Sequence, residues 1–395
     1  MKKLLCVLLV LAILFGLSGC WDSHELDTLF IVTGVGLDKG EKAEEVDVGV
    51  QIVKIAGGSS GGSSGGGADS GGGGGGGDSS ILLEASGKSV LSALSTLRHQ
   101  STRLLFLHHN QMIVFGRDLA MAGIQEHLDL FLRDEETRME TLVLVADGKA
   151  KDVLGAELDQ DKLSGVAVTR MMRQFSTISV FLSVNMLGLT SKLLQKTTAP
   201  LIPIVEVKKE EDKSKLNISK MAVLKNDRMV GELDWEEITG YLWAKGEINE
   251  GIMELATDKG TVSFNILQVS SQSEPVLQSD GRAGVILNID TALDIEELNG
   301  FGDVKLDELY AMLTQETQKA VEQRVTKTFE KSKQLNTDFY GYGGKFHIKY
   351  PKQWASMEQQ WDAVYPGLQL VLNVKTHIVG TGKTALTLDM EEKKK

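Results

Sequence analysis

The sequence predicts an α+β fold of more than one domain, with mixed or antiparallel sheets packed against helices. Its 395 residues are enough for two or three domains of about 100–200 residues each. Strand-like and helix-like patterns alternate along the chain, which is typical of layered domains that contain both elements. One helical pattern near the C-terminus, at residues 306–335, is the longest in the sequence.

Composition and charge exclude several classes of protein. The hydrophobic fraction of 42% and the charged fraction of 24% are close to globular averages, which disfavours wholesale disorder and a polytopic membrane protein. Of the 42 glycines, 14 lie in residues 57–77, so the excess is one local insert rather than a fibrous repeat. The net charge of −12 disfavours a nucleic-acid binder and electrostatic attachment to anionic lipid.

Residues 1–19 are predicted to be a lipoprotein signal peptide. Two lysines precede an apolar run at 4–17, which would span about 21 Å as a helix, less than the ~30 Å hydrocarbon core of a bilayer. A secretory signal therefore fits better than a permanent span. The run ends in Leu-Ser-Gly-Cys20, which resembles a bacterial lipobox, where Cys20 is acylated and becomes the first residue. The alternative is an ordinary signal peptide with a chance cysteine.

Residues 20–196 are predicted to form an N-terminal α+β domain that opens with a β-hairpin. Residues 30–37 are apolar and β-branched, a turn follows at 38–40, and residues 45–52 alternate between apolar and other side chains. The insert at 57–80 is almost entirely Gly, Ser and Asp, which predicts a disordered loop between strands. The remaining patterns predict a helix at 89–103, a strand at 111–115, a helix at 119–132, a strand at 142–145 and helical segments within 165–196.

A middle segment, 197–265, and a C-terminal α+β domain, 266–395, are predicted to follow. The middle segment should contain a charged loop at 208–215, a hairpin at 221–233 and a short helix that begins after the N-cap Asp234, with Glu237 completing a capping box. Alternating stretches at 251–271 and 282–295, and a segment at 368–379, predict strands.

Two apolar patterns in the C-terminal domain predict core packing. The long helix carries a row at every fourth residue, which suits a helix lying obliquely across a sheet better than a coiled coil. That row consists of Leu309, Leu313, Thr317, Val321, Val325 and Phe329. In the aromatic segment 339–366, Trp354, Trp361 and Tyr365 recur at intervals of 7 and 4 residues, which favours a buried cluster over a partner surface.

Motifs for nucleotide, metal or nucleophilic chemistry are incomplete. The Gly-Val-Gly at 34–36 lacks the third glycine of a dinucleotide loop, and a strand rather than a helix follows it. The Gly-Lys-Thr at 382–384 resembles the end of a P-loop, but His377 stands where the first glycine would be. The seven histidines show no HExxH spacing, and no G-x-S-x-G elbow is present. We therefore predict no enzyme, no cofactor and no metal site.

Several short motifs, read in order, resemble one known family. CWDSHEL at 20–26 begins with Cys20, the last residue of the lipobox, and IVTGVGLDK follows at 31–39. Later motifs are LLFLH at 104–108, FLRD at 131–134, YGYG at 340–343, YPKQW at 350–354 and WDAVYP at 361–366. In this order they resemble the Ger(x)C family, the lipoprotein C subunits of GerA-type spore germinant receptors. Besides the lipidation site Cys20, the residues that carry the resemblance are Trp21, Asp22, Glu25, Leu26, Thr33, Gly34, Gly36, Asp38, Gly341, Gly343, Pro351, Trp354, Trp361 and Pro366.

The resemblance implies a non-catalytic subunit that works beside a polytopic A subunit and a transporter-like B subunit. It implies a place on the outer face of the cell membrane, held by lipid on Cys20, and in the inner membrane of the spore, where the complex responds to small nutrients. A second hypothesis is a lipid-anchored solute-binding protein of a transporter, which would need a deep cleft between two similar lobes. An envelope hydrolase would need catalytic groups that the motifs do not supply.

Overall fold

In a computed structural model of the chain, seven stretches of residues are described. They are 28–42, 44–54, 80–158, 161–177, 181–210, 213–301 and 304–380. They form two sheets with packed helices, arranged as two domains, so the predicted α+β fold class is confirmed. The predicted signal peptide and residues 57–79 of the predicted loop lie outside the described residues, whereas Ser80 begins a strand.

The first sheet contains nine strands. They are β1 (Leu29–Lys39), β2 (Val46–Val53), β3 (Ser80–Gly87), β4 (Leu104–Phe106), β5 (Met112–Phe115), β6 (Leu142–Ala146), β7 (Leu201–Glu210), β8 (Lys213–Lys225) and β9 (Arg228–Leu233). Eight run in the order β3-β2-β1-β5-β6-β7-β8-β9, and β4 pairs with β1 beside this path. The central pairs from β1 to β7 are parallel and the outer pairs are antiparallel, so the sheet is mixed.

The second sheet contains four strands. They are β10 (Gly251–Ala256), β11 (Thr261–Leu277), β12 (Ala283–Asn299) and β13 (Gln369–Gly380). The first three form antiparallel pairs, and β13 pairs in parallel with β12. β11 runs without a break through residues 265 and 266, where the sequence places a boundary, because its pairing with β12 continues on both sides. The strands at 201–233 belong to the first sheet.

Eleven α-helices lie in the described residues. They are α1 (Val90–Gln100), α2 (Arg117–Ala122), α3 (Gln125–Arg133), α4 (Ala150–Leu154), α5 (Ser164–Thr177), α6 (Met186–Leu193), α7 (Trp235–Lys245), α8 (Leu306–Gln334), α9 (Tyr342–Lys349), α10 (Pro351–Met357) and α11 (Trp361–Val364). The predicted capping box of α7 is confirmed, since Asp234 accepts from the Glu237 backbone N–H at 2.8 Å and Glu237 accepts from that of Asp234 at 2.9 Å.

Two local predictions were wrong. The single helix predicted at 119–132 is divided into α2 and α3, because Gly123 between them has φ of 135°, outside the helical range. The charged loop predicted at 208–215 is instead the tip of the β7–β8 hairpin, in which Lys208 pairs with Lys215 and Glu210 pairs with Lys213. The strands continue there because exposed charged side chains leave backbone pairing intact.

The long helix α8 connects β12 to the aromatic segment and packs against both α7 and β13. All six residues of the predicted row are buried, from Leu309 to Phe329, so the prediction that this row faces the core is confirmed. Gln318 on the same helix donates to the backbone carbonyl of Val374 in β13 at 3.2 Å. The helix thus joins the second sheet to α7.

Replacing Gly240 of α7 should destabilise the protein. A Cβ at Gly240 would collide with the carbonyl oxygen of Arg324 and the hydroxyl of Thr328 on α8, so the two helices would have to separate. We expect Gly240→Ala to cost about 1–3 kcal/mol of unfolding free energy, the usual range for overpacking. Gly344→Ala is the matched control, because a Cβ there meets nothing within 4 Å. Urea unfolding should show the control unchanged or slightly stabilised; equal effects would contradict close α7–α8 packing.

Candidate functional site

The first motif region lies on β1, where Thr33 joins a buried network that links the first sheet to α4 and α5. The Thr33 hydroxyl donates to the Gln51 side-chain oxygen at 3.1 Å. The Gln51 amide nitrogen donates to the carbonyl oxygen of Leu154 at 2.6 Å and to the Ser164 hydroxyl at 3.0 Å. The Gln51 side-chain oxygen also accepts from the Gly165 backbone N–H at 3.2 Å. One buried side chain therefore fastens the end of α4 and the start of α5 to the sheet.

Asp38, at the end of the same strand, holds the N-terminus of α4. Its carboxylate oxygens accept from the backbone N–H groups of Ala150 at 2.7 Å and Lys151 at 3.0 Å, which the helix itself leaves without partners. Burial raises the pKa of Asp38, and these two hydrogen bonds act against that rise. Gly34 and Gly36 lie beneath Leu154 of the same helix. The four motif residues of β1 therefore position α4 and α5.

The second motif region is a loop after α8 that is organised by a buried carboxylate. Asp338 accepts from the backbone N–H groups of Tyr342 at 2.9 Å and Gly343 at 2.7 Å. Gly341, which lies between Asp338 and Tyr342 in the chain, has φ of 75°, a left-handed conformation that glycine adopts without strain. A side chain at Gly343 would press on Thr197, and the Asp338 carbonyl accepts from the Ala199 N–H at 3.0 Å. This loop therefore joins the C-terminal part of the chain to the lead-in of β7.

The aromatic residues around this loop form one buried cluster. The Trp361 ring meets Trp354 edge to face at 5.1 Å and lies 5.6 Å from Phe346 and 5.7 Å from Tyr365. The Tyr365 hydroxyl is 2.8 Å from that of Ser332 on α8. Since Trp354, Trp361 and Tyr365 are all buried, these three aromatic residues pack in the core, as the sequence favours.

A polar cleft of about 410 Å³ lies between the first sheet's domain and the aromatic cluster. One wall comes from the segment between α6 and β7 and from the β8–β9 turn, and the other from the end of α8 and from α11. Two ion pairs join the walls, Lys196 with Glu358 at 3.2 Å and Lys225 with Asp362 at 3.1 Å. Asp338 and Trp361 are among the lining residues, so the second motif region forms part of this cleft.

The buried Asp338 should make stability depend on pH. Burial raises the pKa of this carboxyl from 3.8 to about 6, against the opposing effect of its backbone hydrogen bonds. Between these pH values the folded protein binds more protons than the unfolded chain, so stability falls as pH rises. At 1.36 kcal/mol per pKa unit, the loss should be of the order of 3 kcal/mol, complete above about pH 6.

Asp338→Asn removes that titration while keeping the side-chain shape. In urea unfolding at a series of pH values, the stability of the wild type relative to this variant should therefore fall across the same window. The comparison cancels the titration of other carboxylates, which both proteins share. A difference that stays constant with pH would show that Asp338 does not keep its proton in the folded state.

The remaining predicted site residues divide into two groups. Cys20, Trp21, Asp22, Glu25 and Leu26 lie outside the described residues. Pro351 stands at the first position of α10, where its missing N–H costs nothing, and Pro366 lies in the 3₁₀ turn Tyr365–Gly367.

Three features of the candidate site were not predicted from the sequence. Gln51, Asp338 and the cleft-lining pair Asn336 and Thr337 depend on contacts between segments far apart in the chain. Within the described residues, no three side chains of His, Cys, Asp or Glu form a group that could hold a metal ion. None of the described helices combines the length and apolar character that a bilayer span requires.

The fold and the two motif regions define an α+β protein of two sheets whose motif residues fasten helices and loops to those sheets. Family models match most of the chain: one described as the spore germination protein N-terminal domain covers residues 22–207, and one described as spore germination B3/GerAC-like, C-terminal, covers residues 219–382. The chain belongs to the Ger(x)C family of spore germination proteins.

Named relatives and a solved structure agree with this family. The chain is 24% identical to the putative spore germination protein YfkR of Bacillus subtilis (strain 168) over 378 residues, which is 94% of this chain and 95% of that one. It is 26% identical to spore germination protein KC of the same organism over 407 residues, covering 96% of each. The crystal structure of the GerBC protein shares the fold, with a TM-score of 0.57 and 17% identity over 87% of this chain and 97% of that one.

Proposed function

We propose that this protein is a lipid-anchored, non-catalytic subunit of a spore germinant receptor and is required for nutrient-triggered germination. The observation that carries the proposal is the family match, which runs through both sheets in one order and spans nearly the full length of its relatives. The relatives are named as spore germination proteins, which supports the process rather than any particular partner.

The contacts of Asp38, Asp338 and Thr33 support a non-catalytic role. Asp38 and Asp338 are buried carboxylates, which in an enzyme could act as acids or bases, but each accepts two backbone N–H groups. Thr33 is committed to the Gln51 network. These residues therefore hold helices and loops in place, which suits a subunit with fixed binding surfaces.

The proposed anchor is a diacylglyceryl group on Cys20. Cleavage after residue 19 removes Lys2 and Lys3, so the net charge of −12 becomes −14 and opposes binding to anionic lipid. Leu29, the first residue of β1, follows Cys20 by nine positions, which an extended chain spans in at most about 30 Å. The start of β1 would then lie within that distance of the outer face of the cell membrane and, in the spore, of the inner membrane.

We infer that the partners are a polytopic A subunit and a transporter-like B subunit of the same receptor. Deleting the gene should abolish germination with the cognate nutrient and leave germination by agents that bypass the receptor intact. Restoring the wild-type gene at another locus should restore the nutrient response. Normal germination of the deletion strain with every nutrient that its parent recognises would contradict the proposal.

A further inference from the structure

Three of the exposed large apolar side chains in the described residues lie along one edge of the first sheet, where its parallel strands β1, β5 and β6 begin. Leu104, which is 43% exposed, opens β4 and pairs with Leu29, the first residue of β1. Met139, 38% exposed, lies in the loop that leads into β6, and its carbonyl accepts from the N–H of Leu187, 61% exposed, at 3.1 Å. Isolated apolar side chains on a surface are ordinary, whereas a row of them at one edge indicates a contact surface.

The loop between α3 and β6 holds this row together. The Glu136 carboxylate in that loop accepts from the backbone N–H of Leu107 at 3.1 Å. Because Leu107 directly follows β4, the loop that carries Met139 is fixed beside the strand that carries Leu104. Leu104, Met139 and Leu187 together form the strand-start patch.

The proposed lipid on Cys20 indicates what lies beside this patch, so the inference rests on the proposed anchor. Leu29 follows Cys20 by nine positions, which keeps the start of β1 within about 30 Å of the bilayer. Leu29 lies at the same edge as the patch, since it pairs with Leu104. The other end of β1, at Lys39, is an eleven-residue strand away, a length of about 36 Å. The patch is therefore an apolar surface at the anchored end of the sheet.

The charges around the patch determine which part of a lipid it can recognise. The loop 134–141 carries four acidic residues and one arginine, and the mature chain has a net charge of −14, so anionic headgroups would repel this face. The Arg103 guanidinium lies over the Phe30 ring at 5.4 Å. An arginine stem of this kind covers apolar surface while its charged end stays among headgroups and water. Apolar contact with acyl chains is thus the attraction that this edge offers.

We propose that the strand-start patch rests in the interfacial region of the bilayer that holds the lipid anchor, with its three side chains in contact with acyl chains. The contact orients the chain and does not anchor it. Two acyl chains already hold the protein at the membrane, so a weak contact acts at a high local concentration. The first sheet would then stand with its strand starts on the bilayer and the β1–β2 connection pointing away from it.

Site-specific fluorescence on the lipidated full chain in phosphatidylcholine vesicles tests this contact. Cys6 leaves with the signal and Cys20 carries lipid, so Leu104→Cys or Leu187→Cys supplies the one free thiol for an environment-sensitive dye. Lipids with a doxyl group on the acyl chain should quench the dye at either position. The same dye on Lys42→Cys, between β1 and β2, should not be quenched. Adding phosphatidylglycerol, whose headgroup is anionic, should weaken the quenching at the patch.

A charge placed on the patch should release it from the bilayer. Leu104→Glu should therefore reduce the quenching of a dye on Leu187→Cys, because a carboxylate stays in water. Leu91→Glu is the matched control: Leu91 is also an exposed leucine, but it lies in the first turn of α1, which follows the far end of β3. Both glutamate variants should keep the melting temperature of the wild type, since both positions face solvent.

Three results from lipidated protein would overturn the inference and leave the anchor standing. They are dyes on the patch that are no better quenched than the dye on Lys42→Cys, equal quenching in the two glutamate variants, and shielding of the patch that appears only when other receptor subunits are added. The last result would assign the edge to a protein partner. Intact mass without lipid on Cys20 would contradict the proposed anchor itself, and this inference with it.

Discussion

Trp361→Ala should remove about 3–5 kcal/mol of unfolding free energy, the range for truncating a buried large aromatic side chain. The Trp361 ring is 4% exposed and lies at the centre of the aromatic cluster, where it contacts Trp354, Phe346 and Tyr365. Alanine would leave a cavity between the short helical segments that carry these rings. A loss of this size would unfold a marginally stable domain at physiological temperature.

Urea unfolding followed by circular dichroism measures this loss, and Trp235→Ala provides the control. Trp235 is 49% exposed at the start of α7 and meets one ring, that of Phe181, at 5.6 Å. Its replacement should cost less than about 1 kcal/mol, as is usual for surface positions. If Trp361→Ala were as stable as Trp235→Ala, the aromatic segment would not belong to the core. Loss of partner binding without loss of stability would instead assign the aromatic segment to an interface.

Cys20→Ala should leave the protein without lipid and with residues 1–19 still attached. Without the thiol no thioether can form, and lipobox cleavage follows acylation. Two acyl chains give stable anchoring, whereas the acidic mature chain has no electrostatic attraction to replace them. Spores that carry the variant should respond poorly to the cognate nutrient and germinate normally with agents that bypass the receptor.

Intact-mass spectrometry tests this more directly than fractionation, because an uncleaved signal can itself hold protein at the membrane. The wild-type chain should begin at Cys20 and carry diacylglycerol. Cys6→Ala is the matched control: Cys6 is the other cysteine of the sequence and is discarded with the signal, so the mature mass should not change. Wild-type protein without lipid on Cys20 would contradict the anchor, and a normal nutrient response from unlipidated protein would show that partner contacts suffice.

The parts of the fold that local sequence determines were predicted well. The β1–β2 hairpin follows from alternation, the capping box of α7 from Asp234 and Glu237, and the buried row of α8 from its four-residue spacing. Each depends on residues close together in the chain, where periodicity and capping chemistry dominate. The division of α2 from α3 was missed because a single Gly123 carries the signal, and glycine is also tolerated inside helices.

The candidate site could not be predicted in the same way. Gln51 in β2 bonds to Leu154 and Ser164, more than a hundred residues away, and nothing near Gln51 distinguishes it from a surface glutamine of an alternating strand. Asp338 lies two residues before the YGYG motif, yet its burial depends on α8 and on the lead-in of β7. The cleft exists only because these distant segments meet, so the motifs identified the family and not the geometry.

Co-purification from the spore inner membrane tests the central claim, that this chain is a subunit of a germinant receptor, most directly. The chain, carrying a C-terminal affinity tag and expressed from its own promoter, would be extracted in mild detergent, and its partners would be identified by mass spectrometry. We expect a polytopic A subunit and a transporter-like B subunit to co-purify with it, and to be absent from an untagged strain. Recovery of the chain alone, or with the permease of a solute transporter in place of these subunits, would contradict the account.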